Sequence, residues 1–143
     1  MARAKLELPN EFLFITEIKI RIDDINYGGH LGNDAILSLM QEARLRFLNH
    51  YGFSEKNVDG YGIIMADAVI IYKSQAYYGD ILQIEVTAGD FGKRACDLIY
   101  RITNKNSGKE VVRAKTRIAF FDYQNNFTVK IPVKFLDIFG VRI

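Results

Sequence analysis

Residues 24–48 read DINYGGHLGNDAILSLMQEARLRFL, in which a glycine-rich loop is followed directly by a run with helical periodicity. Gly28, Gly29 and His30 stand just before the predicted helix. The first N–H groups of a helix have no partner inside it and carry partial positive charge, and glycines let another molecule approach the backbone closely. The loop therefore predicts a site for a carbonyl oxygen that gains negative charge, or alternatively a tight turn in which His30 fills a core pocket.

The helix that follows the loop is predicted over residues 33–51, with Gly52 as its C-terminal cap. Its main apolar stripe consists of Ile36, Met40, Ala43 and Phe47. Leu37, Leu45 and Leu48 fall well off that stripe, so the helix is apolar on more than one side. Such a helix is usually surrounded by other structure rather than laid on a surface.

Period-two patterns typical of β-strands dominate the rest of the chain. One strand is predicted from Thr16 to Ile22, and a long, mostly buried strand over residues 62–76. Further strands are predicted over residues 80–91, 95–103 and 111–122, joined by the turn FGKR and the polar hairpin NKNSGKE. One long helix and about five antiparallel strands make an α+β domain. Because such a sheet keeps exposed edges, we expect a homodimer at least.

The composition limits the classes of protein to which the chain can belong. The chain has 143 residues, 49% of them apolar, and we expect one domain over residues 1–143. The net charge is only +2, and basic residues are interleaved with acidic ones, so the sequence shows no basic cluster of the kind that binds nucleic acid. Cys96 is the only cysteine and there are two histidines, so we expect neither an internal disulfide nor a metal site. With no signal-peptide core and no apolar run of membrane-spanning length, we expect a cytoplasmic protein without membrane partners.

Three segments resemble one known family. Residues 24–48 resemble the signature of hotdog-fold acyl-CoA thioesterases of the 4-hydroxybenzoyl-CoA thioesterase type, roughly D-x-D-x-x-G-H-V-N-N-A-x-Y followed by E-E-A-R. IIYKSQAYYGDILQIEV (residues 70–86) resembles the family's strand–turn–strand, and VVRAKTRIAFFD (residues 111–122) its closing strand. The resemblance covers residues 17–122. It implies a hotdog fold, with the long helix inside a curved antiparallel sheet, and active sites at the dimer interface beside the loop and the helix N-terminus.

Two positions depart from the family pattern and remove its usual acids. Asn26 stands where the loop usually carries Asp, and Gln41 replaces the first acid of E-E-A-R and leaves Glu42 as the second. Neither amide can act as a general base near neutral pH. We assign polarisation of the thioester carbonyl to the backbone N–H groups around Gly29 and His30. Asn26 either holds the water or the carbonyl through its amide, or only favours the turn geometry.

Several groups compete for the role of base, among them His30. Asp34 lies in the first helical turn, seven residues before Gln41, so both side chains point the same way. Alternatively, Asp34 only complements the helix dipole. Asp67 interrupts an apolar strand, where a carboxylate must be hydrogen-bonded or face a site, or else sits at an exposed strand end.

Glu42 is the remaining candidate carboxylate. It lies about 100° around the helix from Gln41, and its alternative role is an ion pair with Arg46 or Arg44. Asp24 matches the first Asp of the family's loop, and we expect it to brace the turn.

These observations predict an acyl-CoA thioesterase that hydrolyses a thioester to a carboxylate and CoA without metal or cofactor. The predicted catalytic residues are Asn26, His30, Asp34, Asp67 and Glu42, and the predicted substrate-binding residues are Gly28, Gly29, Asn33 and Gln41. A non-catalytic acyl-CoA binding module on the same fold is the alternative, and the two amides favour it. A hydratase fits less well, because its loop and helix pattern differs. Lys73 and Arg94, near strand ends, meet either CoA phosphates or water. A homodimer and a homotetramer stay open.

Overall fold

The computed structural model describes residues 4–140 as an antiparallel sheet with a long helix on one face. The elements in chain order are β1 (Phe14–Lys19), a 3₁₀ turn (Ile22–Asp24), α1 (Asn33–His50), β2 (Gly62–Tyr72), β3 (Ile81–Gly89), β4 (Ala95–Asn104), β5 (Glu110–Asp122), β6 (Phe127–Thr128) and α2 (Val133–Phe139). The strand order is β1-β3-β4-β5-β2, and the short β6 pairs with the end of β5. The α+β prediction is confirmed, with six strands in the described residues where the sequence predicts about five.

The core lies between α1 and the sheet. Alternate residues of the central strands, such as Ile84, Tyr100 and Ala114, are fully buried beneath the helix. The predicted stripe of Ile36, Met40, Ala43 and Phe47 is buried as well. The period of 3.6 in α1 and of two in β3 and β4 therefore predicted correctly which side chains of these elements form the core.

The outer face of α1 is uncovered in the single chain. Leu37 is 51% exposed and Leu45 is 39% exposed, whereas Leu48, the third leucine off the main stripe, is fully buried, so the sheet of one protomer surrounds the helix only in part. The reason is that one sheet covers only one side of a helix. Gly52, with a φ of +83°, follows the last turn as the predicted cap, because this left-handed conformation favours glycine.

Strand β2 differs from its prediction in length and in burial. It ends at Tyr72, and its middle, residues 65–68, is exposed. The prediction of a mostly buried strand is wrong because β2 is an edge strand that pairs only with β5 among the described residues. A β-bulge shifts its register between Met65 and Asp67.

The first strand is also displaced from its prediction. β1 begins at Phe14 and ends at Lys19, and the exposed Ile22 belongs to the 3₁₀ turn instead. The buried carboxylate of Asp24 closes this turn by accepting the backbone N–H of Arg21 at 2.8 Å. Asp24 therefore braces the turn, as expected.

Helix α2 was not predicted. Its Phe135 and Phe139, four residues apart, are buried and close one end of the core. The ring centroid of Phe135 lies 5.0 Å from that of Phe120, and the centroid of Phe139 lies 5.0 Å from that of Phe47. No helix of residues 4–140 is long and apolar enough to cross a membrane.

Candidate active site

The glycine-rich loop is closed on itself by Asn26. The backbone N–H of Asn26 donates to the carbonyl of His30 at 2.9 Å, and its own carbonyl accepts the N–H of Gly29 at 3.0 Å. Its side-chain Oδ1 accepts the N–H groups of Gly28 at 2.9 Å and of His30 at 3.3 Å. Gly29 has a φ of +82°, which favours glycine. The turn-forming role considered for Asn26 is therefore present in the structure.

These contacts occupy the backbone N–H groups to which the sequence analysis assigned the thioester carbonyl. The N–H groups of Gly28, Gly29 and His30 all have acceptors inside the loop, so in this conformation none of them is available to hold an oxyanion. The sequence could not show this, because it depends on where the side-chain amide of Asn26 points.

Free donors lie at the start of α1 instead. The N-cap residue is Gly32, which has no side chain to cap the helix. The N–H of Gly32 donates to the carbonyl of Asp24 at 2.9 Å, and its carbonyl accepts the N–H of Ala35. The N–H groups of Asn33 and Asp34 have no acceptor among residues 4–140, as expected for the first turn of an uncapped helix. The positive end of the helix thus keeps two unused donors.

The structure brings Asp34 and Asn26 together over Gly32. A Cβ placed on Gly32 would lie 2.5 Å from Asp34 Oδ1 and 3.6 Å from the Cβ of Asn26. The two side chains therefore flank the same glycine, and both are exposed to solvent. Asn26 Nδ2 donates to no described residue. Gly32 is a residue at the candidate site that the sequence interpretation missed, because only the structure shows that Asp34 and Asn26 approach it; a Cβ there would require the exposed Asp34 carboxylate to shift.

Gln41 and Glu42, the other two candidates on α1, have different surroundings. Gln41 is exposed on the same face as Asp34, about 10 Å further along the helix axis. Glu42 accepts a hydrogen bond from Arg46 Nε at 2.9 Å, and Arg46 also donates to Thr16 Oγ1 at 2.9 Å. Glu42 is thus held toward β1 in the ion pair that was its alternative role.

Asp67 lies on the opposite face of the sheet from α1. Its partner across the ladder is Arg117, and residues directly opposite one another project from the same face. Arg117 alternates along β5 with Thr116 and Ile118, which are buried beneath the helix. Asp67 therefore projects away from the helix, and within one protomer the structure does not bring it to Asp34.

A cavity of about 290 Å³ lies beside the loop and the start of α1. It is lined by Leu31, Asn33, Ile36, Tyr72, Val111, Val112 and residues 73–76. Tyr72, which was not predicted, donates its hydroxyl to the carbonyl of Asn33 at 3.5 Å. The half-buried His30 packs its ring edge-on to Tyr77, with centroids 5.3 Å apart.

The two basic residues considered for CoA phosphates lie far apart. Lys73 lines the cavity beside the loop, at the Val111 end of β5. Arg94 donates to the carbonyl of Thr128 at 2.7 Å, beside the opposite end of β5. Lys73 is therefore the only one of the two placed at the candidate site. Within residues 4–140, no group of three or more His, Cys, Asp or Glu side chains is placed to hold a metal ion.

A comparison with protein families decides the classification. The model of the Thioesterase-like superfamily matches residues 20–139, which is most of the chain. The chain belongs to this superfamily. The match includes the loop, α1, the strands β2 to β6 and α2.

Solved structures similar to this thioesterase-like chain support the same fold. A 1,4-dihydroxy-2-naphthoyl-CoA thioesterase from Synechocystis has 19% identity and a TM-score of 0.77 over 85% of this chain and 91% of that one. A DHNA-CoA thioesterase from Staphylococcus aureus has 19% identity and a TM-score of 0.75, over 87% and 84%. A hypothetical protein from Staphylococcus aureus in complex with CoA has 14% identity and a TM-score of 0.78, over 93% and 84%. No curated protein matches the chain in sequence. At these identities, the similarity establishes the hotdog fold alone.

Proposed function

We propose that this protein is an acyl-CoA thioesterase that hydrolyses a thioester to a carboxylate and CoA without a metal or cofactor. Membership of the Thioesterase-like superfamily supports a hydrolase. The similar structures include thioesterases of aromatic acyl-CoA substrates and a protein that binds CoA, which favours a CoA ester as substrate. The 4-hydroxybenzoyl-CoA thioesterase type rests on the motifs of the loop and helix.

The observation that carries this proposal is the placement of Asp34 beside Asn26 over Gly32, at the uncapped start of α1. Asp34 is an exposed carboxylate, so water has access to it. In the proposed reaction, this carboxylate takes a proton from water while the water oxygen attacks the thioester carbon. In this proposal, Asp34 takes the place of the helix acid that the resembled family carries where this chain has Gln41.

The negative charge that develops on the carbonyl oxygen needs donors. The free N–H of Asn33 and the free Nδ2–H of Asn26 are both available at this point. Fixed donors aimed at a developing oxyanion are often the largest single contribution to catalysis. When the intermediate collapses, the C–S bond breaks and the proton on Asp34 passes to the departing sulfur of CoA, and the carboxylic acid that forms then loses its remaining proton to water and leaves as the carboxylate.

The substrate-binding part of the site lies at the interface between two protomers in this proposal. The exposed outer face of α1, with Leu37 and Leu45, and the unpaired edge of β2 are apolar surfaces that a second copy would cover. The cavity beside the loop opens next to Tyr72, the last residue of that edge. Two protomers joined along β2 would therefore each border the other's site.

A panel of acyl-CoAs of graded chain length, with aliphatic and aromatic acyl groups, tests the proposal. Released CoA is followed with a thiol reagent, and binding of the same esters is measured by calorimetry. We expect release of one CoA per ester consumed. Binding without release would instead establish the non-catalytic acyl-CoA binding module, which the amides at positions 26 and 41 favour.

A further inference from the structure

A second, larger cavity lies at the other end of α1. Its volume is about 640 Å³, and Arg44 of α1 reaches it from one side. Ile63 and Met65 of β2 form an apolar wall, and Glu55 and Lys56 line it from the segment before β2. It shares no lining residue with the cavity beside the loop, and it contains none of the residues assigned a role in the proposed hydrolysis.

The guanidinium of Arg44 has an unused donor in this cavity. The residue is only 6% exposed. Its Nε donates to Glu55 Oε2 at 2.6 Å, and its Nη1 donates to the hydroxyl of Tyr100 at 3.3 Å. Its Nη2 makes no hydrogen bond with the described residues, yet these residues contain no fully buried side-chain nitrogen without a partner. Nη2 is therefore open to the cavity that Arg44 lines.

The summed charge of the side chains that line this cavity favours an anion. Burial by itself lowers the pKa of Arg44, but Tyr100 and the carboxylate of Glu55 outweigh it and hold the pKa above its ordinary value. The guanidinium is thus fully charged. Glu55 offsets this charge, while the exposed Lys56 at the rim adds another, so the lining carries a net positive charge.

From these observations we propose that the 640 Å³ cavity binds a small organic carboxylate with a short apolar or aromatic body. The carboxylate accepts from Nη2 of Arg44, and the body packs on Ile63 and Met65. Charge-assisted hydrogen bonds of a guanidinium to a carboxylate are among the strongest in proteins, and apolar walls add contact area without competing donors.

Calorimetry with benzoate, benzyl alcohol and benzylamine tests this site, because the three ligands share one body and differ in charge. We expect benzoate to bind at least about tenfold more tightly than the alcohol, the effect of one charge-assisted hydrogen bond. Benzylamine should not bind detectably. Equal binding of benzoate and the alcohol, or no saturable binding of benzoate, would overturn the proposal.

Substitutions of residues that line the cavity test whether benzoate binds there. Arg44→Lys keeps the charge but removes Nη2, and should weaken benzoate binding at least about tenfold. Because Arg44 is buried and this variant risks unfolding, two exposed positions provide independent tests. Lys56→Gln should weaken benzoate binding, whereas Lys130→Gln, the same change at an exposed residue outside the cavity, should not. Met65→Phe, which puts a larger and more rigid side chain in the apolar wall and so narrows the cavity, should weaken binding of every ligand in the series. Unchanged benzoate binding in both Lys56→Gln and Met65→Phe would contradict this location.

The carboxylate has two sources, a free acid or the far end of an acyl group. Under the proposed function, hydrolysis of acyl-CoAs with and without a terminal carboxylate distinguishes them. A rise in KM for the carboxylate-bearing ester alone in Lys56→Gln identifies the acyl end, and an unchanged KM with lost benzoate binding identifies a free acid. If the protein hydrolyses no ester, the calorimetric result still decides whether the carboxylate site exists.

Discussion

The side chain of Asn26 has two different ends in two different roles. Its Oδ1 accepts two loop N–H groups and so determines the loop conformation, while its Nδ2 donates to no described residue and is the proposed oxyanion donor. In the proposed mechanism, this donor is what Asn26 supplies in place of the Asp that the resembled thioesterase type usually carries. An acid there would accept the same N–H groups but offer no donor.

Substitution of Asn26 should separate these two roles. In Asn26→Asp, the unfolding free energy measured in urea should stay within about 0.5 kcal/mol of the wild type, because both acceptor contacts survive. Its kcat should fall about a hundredfold, the lower range for the loss of one oxyanion donor. Asn26→Ala should lose kcat similarly and also about 1 kcal/mol of stability. A wild-type kcat in Asn26→Ala would remove Nδ2 from the mechanism, because that variant introduces no carboxylate that could act as a base in its place.

Cys96 should behave as an inert core residue. It is fully buried, and burial raises the pKa of its thiol to about 12. A thiol reagent at pH 8 should therefore label no cysteine in the folded protein and one per chain in urea. Rapid labelling of the folded protein would contradict the burial of Cys96.

The same thiol predicts a pH dependence of stability. The unfolded thiol ionises near its ordinary pKa of 9.0 and the folded one near 12, so the folded state holds its proton more tightly. This contribution is fully present below pH 9 and is lost as the pH rises toward 12. The stability advantage of the wild type over Cys96→Ala should accordingly shrink between pH 9 and 11. A constant difference would contradict the raised pKa.

At the scale of elements, α2 closes the core although only seven residues form it. Phe135 is fully buried and meets the rings of Phe53, Phe91, Phe120 and Phe139. A helix this short has little stability of its own, so its aromatic contacts must hold it in place.

Phe135→Ala should therefore lower the unfolding free energy by about 3–5 kcal/mol, the usual range for a buried aromatic residue. Leu136→Ala, in the same helix but 37% exposed, is the matched control and should cost much less. Urea denaturation measures both. Similar losses in the two variants would mean that α2 does not pack as described.

The elements that sequence reasoning located correctly are those with a long, regular pattern. α1 begins at Asn33 as predicted, and β3, β4 and β5 lie close to their predicted ranges, because each repeats its apolar period several times. α2 has only one pair of phenylalanines at helical spacing, which is too short a pattern to predict a helix. The displaced end of β1 has a different cause, because the contact of Asp24 with Arg21 decides where the strand ends.

The candidate site was predictable only in part. The sequence motif located the loop and identified Asp34 as a candidate on the face of Gln41, and the structure adds its contact with Gly32. The face on which Asp67 lies depends on the bulge in β2, and the free N–H groups depend on the orientation of one amide. Neither can be read from the order of residues, because each is decided by tertiary contacts.

At the scale of the whole molecule, β2 presents a long edge with no partner in the described chain. Ala68 and Tyr72 are exposed along it, and the exposed leucines of α1 lie on the uncovered side of the helix. A long apolar edge with free backbone groups favours pairing with another strand. A second copy of the chain is the partner that our account expects there.

Light scattering at micromolar concentration should accordingly report a dimer or a larger assembly. Ala68→Lys places a charge in the exposed middle of β2 and should shift the assembly toward the monomer. Ile15→Lys, at an exposed position of the opposite edge strand, is the matched control and should leave the dimer intact. A monomeric wild type would exclude an active site shared between protomers.

A comparison of kcat among three proteins decides whether Asp34 is the base of a thioester hydrolase. Thioester hydrolysis is measured for the wild type, Asp34→Asn and Asp67→Asn, the last being the same chemical change on the opposite face of the sheet. Asp34→Asn should lower kcat at least about a hundredfold, the lower range for the loss of a general base, whereas Asp67→Asn should stay near the wild type. Wild-type kcat in Asp34→Asn, or a loss confined to Asp67→Asn, would contradict this role of Asp34.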